Sequence, residues 1–97
     1  MRAHTDDATK LRAVEREHLE HAWSAAAELS GLANRVAESE DRLASTFEVL
    51  AKSSQPSRAA ALRAKAAYSR AFAQHERRER DRWAAFASAD RETRRRP

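Results

Sequence analysis

Large apolar residues recur along the first half of the chain on a seven-residue grid. Leu29, Val36, Leu43 and Leu50 mark one line of that grid, and Ala8, Glu15 and Ala22 continue it backwards. A second line, offset by three, carries Leu11, His18, Ala25, Leu32, Ser39 and Thr46. Two lines spaced three and four apart are the signature of a helix with an apolar seam, here with small and polar gaps. The seam predicts one long helix over residues 6–52, opened by Thr5-Asp6-Asp7 with acidic groups at the positive end of the helix dipole. Gly31 is a weak point, because glycine within a helix costs about 1 kcal/mol relative to alanine. The apolar phase passes through it unbroken, so a single helix is expected.

The pattern stops at Ser53-Ser54-Gln55-Pro56-Ser57, the one cluster of helix-breaking residues inside the chain. Proline suits the first position of a helix, where its missing N–H would have no partner, with Ser54 or Gln55 near the cap, or Ser57 in that role in a tighter turn. A turn is therefore predicted over 53–56 and a second helix over 57–91, followed by a basic tail at 92–97. On the second helix Ala61, Tyr68, Phe72, Trp83 and Phe86 share a face, interrupted by the charged run Gln74-His75-Glu76-Arg77-Arg78-Glu79-Arg80. Strands are not expected: there is no Ile, and the three valines do not alternate with polar residues.

Folded antiparallel about Gln55, the chain becomes an all-α helical hairpin, a single coiled-coil-like domain. Leu43, Phe47 and Leu50 would meet the alanine-rich stretch 60–67. Leu29, Leu32 and Val36 would face the charged band, and Leu11 and Val14 would lie beyond the end of the second helix. Apolar positions left uncovered call for another chain. The expected architecture is thus a hairpin that dimerises into a four-helix bundle or meets a helical protein partner, through Leu11, Val14, Leu29, Leu32 and Val36 with Phe72, Trp83 and Phe86. Trp23, expected to point away from the seam, is a further candidate contact, since exposed indoles are enriched at interfaces.

Composition agrees with such a rod. Leu, Val and Phe are few among 97 residues, and alanine supplies most of the apolar content. Residues 1–52 hold seven basic and ten acidic side chains, and residues 53–97 hold twelve and five, so the halves attract and the net charge is +4. With no cysteine, no apolar leader and no run of about 20 apolar residues, a cytoplasmic protein without a membrane role is expected.

Three chemistries remain to be weighed. Glu15 and His18 form a Glu-x-x-His spacing, which in ferritin-like di-iron bundles lets two side chains share a metal. His18 lies within the seam, however, where one polar residue serves to set register, and no cofactor is expected. Arg91, Arg94, Arg95 and Arg96 could neutralise phosphates, making nucleic acid an alternative partner. Against this, Arg77, Arg78, Arg80 and Arg82 alternate with Glu76, Glu79 and Asp81, as on a self-neutralising helix. One glycine rules out a glycine-rich phosphate loop, and no nucleophile motif is present, so catalysis is not expected. In size and outline the chain resembles the small WXG100-type hairpins. Its turn lacks Trp-x-Gly and its tail lacks a tyrosine followed four residues later by an acid, so that resemblance implies no residue role or function here.

Overall fold

The computed structural model describes residues 2–95, with side chains described for 6–89 and for Glu92. Two helices account for nearly all of it. Helix α1 spans Arg2–Lys52 and helix α2 spans Pro56–Arg95, joined by a three-residue turn and folded back on each other. The result is a rod measuring 81 × 21 × 13 Å. No described helix is long and apolar enough to cross a membrane.

The turn follows from its residues. Ser53 and Ser54 donate their backbone N–H groups to the carbonyls of Leu50 and Ala51, both at 3.3 Å, and the Ser54 hydroxyl donates to Leu50 at 2.7 Å. Carbonyls that would be orphaned at the end of α1 are thereby satisfied without a left-handed residue. The Gln55 carbonyl accepts the Ala59 N–H at 2.7 Å, which starts α2 with Pro56 in its first turn, as its ring favours.

Both helices run further than their sequence signals suggest. Helix α1 begins at Arg2, so Asp6 and Asp7 sit past its first turn rather than at its start. Helix α2 continues through the basic segment to Arg95 instead of ending at 91. Gly31 does not break α1. A Cβ built there would meet only Arg35 Nη1, at 3.6 Å.

The seam between the helices is where the sequence reading needs correction. The buried residues of α1 are Ala26, Ala33, Ala37, Ala44 and Ala51, and those of α2 are Ala59, Leu62, Ala66, Ser69 and Ala73. Leu29, Leu43 and Leu50 do not enter it; each lies one residue before a seam position and is 40–45% exposed. One residue is about 100° of helix, enough to turn a side chain out of the contact. The reason is mutual. Helix α2 offers a heptad line of alanines, and methyl groups pack best against methyl groups at the short end of the usual interhelical spacing of about 8–10 Å. Phe47 is the large residue that does reach inward, packing on Ala51, Ala59 and Leu62 beside the turn.

Two stability changes follow from this packing. Ala44→Leu should overfill the seam and destabilise the hairpin by about 1–3 kcal/mol. Gly31→Ala, whose methyl meets only an ordinary contact with the flexible Arg35 side chain, should stabilise it by about 0.5–1 kcal/mol. Urea denaturation followed by circular dichroism measures both, and a neutral Ala44→Leu would contradict the alanine seam.

Candidate interaction face

Contacts across the seam fix which residues are level. The Ser30 hydroxyl donates to the Arg80 carbonyl at 3.0 Å, and Arg80 Nη1 donates to Asn34 Oδ1 at 2.9 Å. Nearer the turn, Arg70 bonds Glu48 and lies 3.6 Å from Asp41, which also pairs with Arg77. Carried on from Ser30 and Arg80, the same pairing puts Arg95, the last residue of α2, beside Glu15 of α1. The start of α1 therefore projects past α2, and this projection carries Leu11 and Val14, 62% and 47% exposed.

The two sides of the seam differ in chemistry. Leu29, Val36, Leu43 and Leu50 each precede a seam position of α1 by one residue. Tyr68, Phe72 and Phe86 precede Ser69, Ala73 and Ala87 on α2 in the same way. In an antiparallel pair, one step back along either helix turns toward the same side of the rod. The two stripes therefore emerge on one common face. Lys65 and Phe47, which also precede seam alanines or flank them on that side, confirm the geometry: the Lys65 ammonium sits 5.9 Å from the Phe47 ring centroid. Phe72 adds a tilted contact with His75 at 6.3 Å between ring centroids. Leu32, Leu43, Leu50, Tyr68, Phe72 and Phe86 are all exposed on this face, while Val36 and Trp83 are half-buried at its inner edge.

The opposite side is ionic. Asp41, Glu48, Arg70 and Arg77 each lie four residues after a buried alanine, at 37, 44, 66 and 73, and form a ladder across the groove. The hydrogen bond from Arg70 holds the Glu48 carboxyl below the ordinary carboxylate range, and the same bond raises the Arg70 guanidinium. Further along, Arg80 bonds Asp81 at 2.9 Å and Arg82 lies 3.4 Å from Glu79. Much of the positive charge of α2 is thus answered within the hairpin.

Other residues singled out in the sequence are placed as follows. Trp23 is not turned away from α2. It lies seven residues before Ser30, in phase with Ala37 and Ala44, and is half-buried in a shallow groove of about 520 Å³ shared with Ala84, Ala87 and Ser88. Glu15 and His18 are exposed near the projecting end of α1. Among the described residues, no three of His, Cys, Asp or Glu gather where they could share a metal ion. Arg91, Arg94 and Arg95 continue the α2 backbone with side chains outside the described set, and Arg96 lies outside the described residues altogether.

The ladder predicts a pH dependence whose sign is fixed. Glu48 titrates lower when folded than when unfolded, so its contribution is present at neutral pH and is lost as pH falls through the carboxylate range. Arg70 keeps its charge throughout. Thermal midpoints measured from pH 7 to pH 3 should fall, and Glu48→Gln should flatten part of that fall while lowering the midpoint slightly at pH 7. An unchanged slope in the variant would remove Glu48 from the account.

Compared with models of protein families, with curated proteins and with solved structures, the chain finds no match.

Proposed function

We propose that this chain is a non-enzymatic protein–protein interaction module, a helical hairpin whose apolar face is completed by further helices in a coiled-coil-like bundle. One observation carries the reading: the hairpin spends alanines on its own seam and leaves Leu11, Val14, Leu29, Leu32, Leu43, Leu50, Tyr68, Phe72 and Phe86 exposed. Of the large side chains, only Leu62 is buried in the described structure. A buried methyl contributes on the order of 1 kcal/mol, against about 1.5–3 kcal/mol for a Leu, Val or Phe. The chain's main reserve of burial energy therefore lies on its outside. Exposed apolar residues gathered on one face, here with polar gaps at Glu15, His18, Ser39 and Thr46, mark a surface that another molecule covers. The role that fits is an adaptor, scaffold or regulatory partner acting through self-association or a helical partner.

The test combines sedimentation equilibrium with circular dichroism on the full chain and on Leu32→Asp/Val36→Asp. The wild type should be helical and associated at micromolar concentration. Two carboxylates on the face should weaken association at least about a hundredfold, since each lost apolar contact is worth more than 1.4 kcal/mol. A wild-type chain that melts cooperatively as a fully helical monomer would sink the proposal, because nothing would then need to cover the face.

A further inference from the structure

We propose that the cover is a second copy of this chain laid end over end, so that α1 of one copy runs antiparallel on α1 of the other about a two-fold axis between Ser30 and Gly31. This inference rests on the interaction reading above and names its partner and geometry.

Three features of the molecule point to it. The first is the projecting end of α1. Two hairpins can join face to face by a two-fold axis along the rod or by one across it. An axis along the rod puts each α1 over the partner's α2, which ends near the level of Glu15, and so leaves Leu11 and Val14 bare. An axis across the rod puts α1 on α1, and each projecting end then lies over the partner's turn region, where Leu50 and Phe47 are. The second is the spacing of the α1 stripe. Its outermost members are Leu11 and Leu50, and their midpoint falls between residues 30 and 31. About that point Leu11 meets Leu50, Ala25 meets Val36 and Leu29 meets Leu32, each in both directions, as an isologous contact requires.

The third feature is the size of the face. Its outline of 81 × 21 Å is roughly 1,700 Å² in projection, against about 800 Å² per partner for a standard stable interface. Helix α2 contributes less near the axis, where Glu76 and Glu79 interrupt its apolar positions and Glu79 is held by Arg82 at 3.4 Å. The α1 stripes carry the contact.

Because the chain has no cysteine, introduced thiols report the arrangement directly. Ala25→Cys and Val36→Cys chains are prepared separately, then unfolded together, refolded and oxidised, with sedimentation equilibrium of the wild type alongside. The two-fold axis brings residue 25 against residue 36 of the other copy, within the 4.4–6.8 Å between Cα atoms that a disulfide spans. It keeps 25 from 25 and 36 from 36 by eleven residues, about 16 Å. The expected result is a wild-type dimer and a disulfide-linked product found only in the mixture, one chain of each kind. His18→Cys mixed with Leu43→Cys repeats the test should a thiol at Val36 loosen the face. A dimer in which either variant links to itself, or in which neither mixture links, overturns the end-over-end geometry and leaves the interaction reading standing. A poorly helical monomer overturns the second copy as partner, and a fully helical, cooperatively folded monomer overturns both.

Discussion

The hairpin rests on a seam filled mainly by methyl groups. Ala37, Ala44 and Ala51 on α1 lie level with Ala73, Ala66 and Ala59 on α2, all of them buried, and such a contact draws helix axes close together. Close axes leave little room for leucine between them, and among the described residues only Leu62, beside the turn, is buried there. The leucines must therefore sit about 100° away around the helix, and the chain's strongest hydrophobic potential ends up outside its own fold. The orientation of the hairpin and the composition of its surface both follow from that one steric condition.

The seam also makes the rod two-sided. On one side the ladder through Asp41, Glu48, Arg70 and Arg77 ties the helices together; on the other run Leu29, Leu43, Leu50, Tyr68 and Phe72. Exposed ion pairs of this kind contribute only about 0.2–1 kcal/mol each, so the ladder's effect lies in selection. It fixes the register of α2 against α1 and shields one side of the seam with charge, which leaves the other side as the place where further apolar surface can be buried. At the open end Trp23 occupies a position in line with the alanines, and there the tight seam gives way to a groove.

Much of this architecture is legible in the sequence. The heptad grid, the absence of strand-forming runs and the serine–proline cluster at 53–57 suffice to place two helices and the turn between them. The seam itself is not legible by the same route. An inner stripe and an outer stripe of one helix have the same seven-residue period, so periodicity cannot say which of them faces the partner helix. Weighting by side-chain size then selects Leu29, Val36, Leu43 and Leu50, and passes over alanines that are common along the whole chain. A better signal was available on α2, where small residues recur at 59, 66, 69 and 73 with no leucine line able to answer α1's. Trp23 misleads in the same manner: judged against the leucine stripe it points away, and judged against the alanine seam it points in.

The angle between the two stripes of α1 carries its own meaning. A helix in a two-helix hairpin needs one contact surface, whereas a helix at the corner of a four-helix bundle needs two, roughly a right angle apart. A seven-residue repeat of small residues with a second repeat of large ones a single residue earlier gives two surfaces separated by about 100°. Helix α1 has that pattern from Leu29 through Ala51. The small surface is already used within the chain, and methyl-on-methyl packing favours a narrow spacing. The large surface suits a wider spacing, since leucine, valine and phenylalanine stand further from the helix axis. An end-over-end dimer would use both at once, with close pairs inside each hairpin and wider separation between them. A helix so patterned and left as a plain hairpin would carry the penalty of an exposed apolar stripe over nearly half of its length with nothing to offset it.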